Sequence, residues 1–324
     1  MPHAIRVHAY GGPETLRREL IEVPPPGRGQ VRLRQTAVGL NYIDVYERTG
    51  LYPMELPSGL GREAAGVVVE TGPGVHDVQC GDHVAYVHTQ PGAYADERIM
   101  PADRLVKIPK GISNAQAAAV MLKGLTAWYL LRRTYRVRRG DPIVIYAAAG
   151  GVGLIAVQWA RHLGAEVIAV TGSREKAETA REFGAHHTIL LGRPDLAARV
   201  REITGGRGVP VVYDSIGKDT FFNSLDCLRP HGLMVSYGNA SGPVPPVDLR
   251  ELARRGSLYL TRPTLFHYIE RRADLQRAAH ELFAVIVSGA VKIRIGQTYA
   301  LADAALAHRE LEARRTTGAT VLLP

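Results

Sequence analysis

With 324 residues, 46% hydrophobic and 22% charged, the chain is long enough for two domains and apolar enough to bury a large core. That excludes a disulfide-stapled miniprotein and a predominantly disordered chain. The formal charge of +9 favours acidic partners without naming one. From the N-terminus to about Lys110, short β-type runs at 4–10, 30–38, 65–71, 83–89 and 93–99 are cut by Gly and Pro, which predicts a compact β-barrel or sandwich. From about Ser113 the period becomes helical, at 115–121 and 126–135. Strands expected at 142–147, 166–171, 188–191, 211–214, 233–237 and 257–260 then alternate with helices at 152–163, 174–183, 196–204 and 220–227. Near-continuous apolar strands between amphipathic helices predict an α/β domain with a doubly wound parallel sheet. Beyond 266 the pattern predicts a long helix to 288, a strand near 291–295, a helix over 301–314 and a strand at 319–323. The tail is expected to rejoin the β-rich domain, so that 1–122 and 267–324 form one domain, 123–266 is inserted as the other, and a cleft lies between them.

The strongest local signal is the apolar run from Ile143 into Ala148-Ala149-Gly150-Gly151-Val152-Gly153, followed by a helix and a second strand at βαβ spacing. Glycines are needed where a backbone meets a pyrophosphate, and the helix N-terminus adds N–H donors and positive dipole charge. The first glycine of the usual dinucleotide fingerprint is Ala148 here. At the end of the next strand, Thr171-Gly-Ser-Arg-Glu-Lys176 has no acid at the position that binds a ribose 2′-hydroxyl. Ser173, Arg174 and Lys176 can instead donate to a 2′-phosphate, so NADPH is the expected cofactor, with Glu175 as the competing ribose ligand.

The residues that carry a wider resemblance are Gly39-Leu-Asn-Tyr-Ile-Asp-Val-Tyr46, Gly50-Leu-Tyr-Pro53, Leu56-Pro-Ser-Gly-Leu-Gly61, Glu63-Ala-Ala-Gly66, Lys123-Gly-Leu-Thr126, the glycine turn, Val211-Val-Tyr-Asp-Ser-Ile-Gly217 and Ser236-Tyr-Gly-Asn239. Together they resemble the NADPH:quinone oxidoreductases, a zinc-independent branch of the medium-chain dehydrogenase/reductase superfamily. The resemblance implies a Rossmann domain inserted in a GroES-like domain. It also implies Asn41, Tyr46, Tyr52 and Thr126 around nicotinamide and substrate, with Asp44 and Tyr129 nearby. Further implied cofactor contacts are Gly150, Gly151, Val152 and Gly153 at the pyrophosphate, Gly172, Ser173 and Lys176 at the adenosine phosphate, Ser215, Tyr237, Gly238 and Asn239 along the dinucleotide, and Arg314 at the 2′-phosphate end, with Arg315 competing. Where close relatives place a Tyr facing the adenosine phosphate, this chain has Leu190-Leu191, which predicts a weaker NADPH preference. By spacing alone, Asn41 reads as a turn residue, Asp44 as a helix cap and Tyr46 and Tyr52 as packing aromatics.

No metal is expected. Metal-dependent relatives carry a cysteine where this chain has Asn41, and their Gly-His-Glu is Gly61-Arg62-Glu63 here. Cys80 and Cys227 are too few for a cysteine site or a disulfide framework, which points to a reducing compartment. With no apolar run of about 18 residues and no secretory h-region, a cytoplasmic protein without a membrane partner is expected. The implied reaction is quinone reduction by direct transfer from the nicotinamide in the interdomain cleft. Two alternatives are an NADPH-dependent alkenal or enone reductase and an NADPH-binding RNA-binding or structural protein. Because the basic residues lie in scattered pairs rather than on one face, nucleic acid is not an expected partner. Strands 233–237 and 257–260 are expected near a sheet edge through which a homodimer forms.

Overall fold

The computed structural model describes residues 1–192 and 195–324, in two units. The first contains Met1–Leu125, Ile269–Val287 and Ile293–Pro324, and the second Thr126–Tyr268 and Ser288–Lys292.

In the first unit, β1 (His3–Val7) pairs with β2 (Leu16–Leu20), and β3 (Gln30–Leu40) leads directly into α1 (Tyr42–Arg48). The period did not show this seven-residue helix, and the cap read at Asp44 lies three residues earlier, at Asn41, with Asp44 at the third helical position. Its signal is Asn41-x-x-Asp44, in which the Asn41 N–H donates to Asp44 Oδ2 at 2.9 Å as half of a capping box. After β4 (Ser58–Gly59), which pairs with β1, come β5 (Glu63–Thr71), β6 (His83–Val87), β7 (Glu97–Pro101) and β8 (Val106–Lys107). Val31 and Leu33, alternating along β3, are sealed against Val68, Tyr86 and Met100. The expected helix at 115–121 is two elements, α2 (Asn114–Ala118), capped by Ser113, and α3 (Met121–Tyr129). The expected helix at 126–135 is accordingly the end of α3 and a π turn, Leu130–Thr134.

The second unit holds β9 (Pro142–Tyr146), α4 (Gly151–His162), β10 (Glu166–Thr171), α5 (Arg174–Glu182), β11 (His187–Leu190), α6 (Leu196–Ile203), β12 (Val209–Asp214), α7 (Phe221–Asp226), β13 (Leu228–Ser236), α8 (Arg250–Arg254), β14 (Tyr259–Thr261) and α9 (Leu265–Tyr268). Its described strands form one parallel sheet in the order β11-β10-β9-β12-β13-β14, the doubly wound arrangement. All six residues of β12 are buried, as a strand covered on both faces requires.

Two expectations for the tail need correction. The long helix at 266–288 is interrupted between α9 and α10 (Arg272–Val287): Arg104 donates to the Glu270 carbonyl at 2.7 Å, and the helix restarts with Leu275 N–H on Arg271 O. The expected strand at 291–295 begins later, as β15 (Ile295–Ala300). Ahead of it Val291 is buried, and Lys292 is held by the Gln158 side chain through both its N–H and its carbonyl, at 2.8 and 3.1 Å. After α11 (Ala304–Glu312), β16 (Ala319–Leu323) pairs antiparallel with β3, Thr320 opposite Leu40, giving a described sheet order β15-β16-β3-β5-β6-β8 with β7 also on β3. No helix among the described residues is long and apolar enough to cross a membrane.

Candidate functional site

In the second unit the turn after β9 is tight. Ala147 takes a left-handed φ of 48°, Gly150 caps α4, and the first i→i−4 bond is Leu154 N–H to Gly150 O at 2.9 Å. The N–H groups of Gly151, Val152 and Gly153 therefore precede the helical ladder. A Cβ on Gly153 would lie 2.3 Å from Ala147 O and 2.7 Å from Ala148 Cα, so only glycine fits this close approach of helix to strand. The site has the shape and donors that a pyrophosphate requires.

At the end of β10, Ser173 caps α5, accepting the Lys176 N–H at 3.3 Å. Its hydroxyl also hydrogen-bonds Glu175, holding that carboxyl below its ordinary range. Arg174 and Lys176 occupy the first turn of α5, where a cation opposes the helix dipole unless an anion sits there. Leu191 follows β11, its N–H on Thr171 O at 2.7 Å. The loop after β12 is built by Asp214, fully buried, which accepts from Ile216 N, Gly217 N, Thr220 Oγ1 and Ser224 Oγ. The next loop is laced to it through Ala240 N on Ser215 O and Ser241 N on Ile216 O, bringing Ser215, Tyr237, Gly238 and Asn239 together. Burial pushes the Tyr237 hydroxyl up to about 12, with a hydrogen bond from Ser215 opposing. Thr126 and Tyr129 are buried on α3, and Tyr129 stacks on Tyr268 with ring centroids 4.6 Å apart. Gly172 sits between β10 and the Ser173 cap.

In the first unit, α1 and the loop behind it gather Asn41, Asp44, Tyr46 and Tyr52. The Tyr46 and Tyr52 rings meet edge to face at 5.2 Å, and Tyr52 N–H donates to Tyr46 O. Asp44 belongs to a buried chain of donors. Arg48 can only donate, so His308 Nδ1, 3.3 Å from Arg48 Nη1, accepts and the imidazole proton rests on Nε2. Nε2 then donates to Tyr94 OH at 3.1 Å, and Tyr94 donates to Asp44 Oδ2 at 2.9 Å. Burial and the Arg48 charge push His308 down to about 3; burial, reinforced by Glu47, pushes Asp44 up to about 7. Asp44 Oδ1 has no hydrogen-bond partner among the described residues. Arg314 lies past α11 with φ of 60°, while Arg315 is paired with Glu310 at 2.6 Å.

From the sequence, Glu63 and Lys123 stood only as parts of motifs, without a role, and Tyr94 and His308 were not singled out. Asn41 Nδ2 and Lys123 Nζ both donate to Glu63 Oε1, at 2.8 and 2.7 Å, and Leu122 N–H donates to Oε2. Arg62, next to Glu63, pairs with Glu47. By the resemblance, one amide (Asn41) and one guanidinium (Arg62) stand where metal-dependent relatives place ligands, and no three His, Cys, Asp or Glu side chains converge among the described residues. This set does not fit zinc, which needs lone pairs where Arg62 presents N–H and where Glu63 already accepts from Asn41 and Lys123.

Residues 151–284 match the family described as zinc-binding dehydrogenase, and 27–110 the alcohol dehydrogenase GroES-like domain. Over its whole length the chain is 53% identical to the quinone oxidoreductase of Pseudomonas aeruginosa, covering 100% of both. It is 48% identical to a 2-haloacrylate reductase of a Burkholderia species, covering 100% of this chain and 99% of that one. The crystal structure of Escherichia coli quinone oxidoreductase complexed with NADPH superposes with a TM-score of 0.97 at 47% identity, covering 99% of this chain and 100% of that one. Fold and sequence together define a medium-chain dehydrogenase/reductase, a GroES-like unit joined to a Rossmann unit. Within that class, the chain belongs to the quinone oxidoreductase family.

Proposed function

We propose that the chain catalyses zinc-independent reduction of quinones by NADPH. Two observations carry the reading together: the glycine turn at Gly150–Gly153 followed by the basic start of α5, and a Glu63 carboxylate already occupied by Lys123 and Asn41. When bound, NADPH supplies the hydride. The chain's own work is to hold and orient. The N–H groups of Gly151, Val152 and Gly153 take the pyrophosphate, Ser173, Arg174 and Lys176 the 2′-phosphate, and Ser215, Tyr237, Gly238 and Asn239 flank the dinucleotide, with Gly172 leaving room and Arg314 at the phosphate end. Asn41, Asp44, Tyr46, Thr126 and Tyr129 shape the nicotinamide and substrate space, and Tyr52 OH donates to a quinone oxygen. Steady-state oxidation of NADPH and of NADH with 1,4-benzoquinone and with 2-hexenal, with and without chelator, tests the reading. Chelator-insensitive quinone turnover is expected, and binding of NADPH without turnover of either substrate contradicts it.

A second reading, reduction of an activated C=C bond, is favoured by the similarity to 2-haloacrylate reductase; turnover of 2-hexenal alone would establish it.

Arg174→Ala with Lys176→Ala is expected to weaken NADPH binding at least about tenfold while sparing NADH, since a charge-assisted hydrogen bond contributes about 1.5–3 kcal/mol. Fluorescence titration of the two cofactors measures it. Tyr52→Phe is expected to lower kcat with NADPH affinity intact; an unchanged kcat removes the hydroxyl from the reaction. We also read the chain as a cytoplasmic homodimer pairing through β14, the edge strand, whose Tyr259 and Leu260 are exposed. A monomeric mass at micromolar concentration contradicts the dimer, and recovery in a membrane or secreted fraction contradicts the location.

A further inference from the structure

The Asn41, Glu63 and Lys123 cluster does more than displace a metal. Glu63 is completely buried, whereas Asn41 and Lys123 each keep a small exposed fraction, 6% and 5%. Stability alone does not call for such a pair, because well-packed apolar side chains commonly replace a buried ion pair without loss. An ammonium has three N–H bonds. Among the described residues, Glu63 is the only acceptor that Lys123 Nζ meets, which leaves donors over for a ligand. The pair is also held firmly: Asn41 and the Leu122 N–H fix both carboxylate oxygens, and the carboxylate in turn fixes the ammonium. Lys123 is on α3 one turn before Thr126, so the two side chains share a helix face.

We infer that Lys123 is a catalytic residue, whose ammonium, positioned by Glu63, hydrogen-bonds the substrate oxygen that gains negative charge and gives it a proton. This rests on the quinone-reductase reading. In that reaction one carbonyl oxygen of the quinone receives a hydride, which is two electrons and one proton. The ring becomes aromatic as an electron pair moves to the opposite oxygen. There an O–H bond forms as an N–H bond of Lys123 breaks, yielding the hydroquinone. The neutral amine regains its proton from water, so quinone, NADPH and one proton give hydroquinone and NADP+. A fixed cation on a short tether supplies the charge that a Lewis-acidic metal supplies elsewhere, and it carries the proton as well.

Two variants test this with wild-type enzyme, NADPH and 1,4-benzoquinone. Lys123→Arg keeps the charge and the pairing with Glu63 but cannot surrender a proton. The double change Lys123→Met with Glu63→Gln removes both charges together and leaves no buried ion unpaired. For both, kcat is expected to fall by about 100-fold or more, the usual contribution of a general acid, with NADPH affinity unchanged by fluorescence titration. A Lys123→Arg enzyme with wild-type kcat overturns the inference, because a merely structural cation is replaced by arginine without cost to turnover. Wild-type enzyme that oxidises NADPH with neither quinone nor 2-hexenal overturns the reading of function, and the inference with it.

Discussion

Glu63→Ala is expected to lower the unfolding free energy by about 3–5 kcal/mol, the usual loss when one partner of a buried ion pair is removed. Glu63 has no exposed surface, and three donors end on it: Asn41 Nδ2, Lys123 Nζ and the Leu122 N–H. The last lies in the first turn of α3, so the carboxylate also caps a helix that it reaches from β5. Alanine leaves the Lys123 ammonium and the Leu122 N–H without their acceptor, and the Asn41 amide with only the Gly39 carbonyl, at 3.3 Å. Gly39 adds a constraint, since a Cβ there would lie 2.2 Å from Glu63 Oε1, and the bare backbone keeps that oxygen in place. Urea unfolding of Lys123→Met, of Glu63→Gln and of the two together gives the coupling, and the double change is expected to cost less than Glu63→Ala alone. A loss under about 1 kcal/mol for Glu63→Ala would show that water reaches and solvates the ammonium.

Asp44→Asn is expected to remove a pH dependence of stability rather than stability itself. Burial raises the Asp44 carboxyl from its ordinary value of 3.8 to about 7, so between those values the folded protein binds a proton that the unfolded chain releases. Stability carried by this group is therefore present at low pH and falls as pH rises through that window, levelling off above about 7. At about 1.4 kcal/mol per pKa unit the loss is on the order of 4 kcal/mol. Asparagine keeps an oxygen for the Asn41 N–H and the Tyr94 hydroxyl, and puts its NH2 where Oδ1 meets no partner. The difference in unfolding free energy between variant and wild type, from which the exposed carboxylates cancel, is expected to move in the variant's favour from pH 5 to pH 8. A difference that does not change with pH would mean that Asp44 stays ionised in the folded state.

What could be read from the sequence divides by how local the physics is. Gly153 was legible because its constraint comes from the adjacent Ala147 and Ala148, and the doubly wound sheet because apolar strands and amphipathic helices each declare themselves within a dozen residues. The first unit was less so. α1 is shorter than two helical turns, and its signal lies in two polar residues and not in a period. Tyr94 and His308 are 214 residues apart, and neither sits in a pattern that reports a buried hydrogen bond. Beyond opening the Lys123-Gly-Leu-Thr126 motif, Lys123 had one further sign: it is a charged residue in the run Val120-Met-Leu-Lys-Gly-Leu-Thr126, where an apolar helix start would otherwise be read. Its partner is 60 positions away, and only the fold brings them together.

The placement of β16 has a consequence for synthesis. Its hydrogen bonds to β3 join residues 320–322 to residues 38–40, across the whole of the second unit. On the ribosome the residues of the Rossmann unit from 126 to 268 are complete while the sheet of the first unit still lacks β15 and β16. The nascent chain therefore carries an early β-rich half in which residues 38–40 of β3 still lack their partner strand. The interval is when the chain is most exposed to aggregation and to chaperones, and it closes as residues 319–323 emerge.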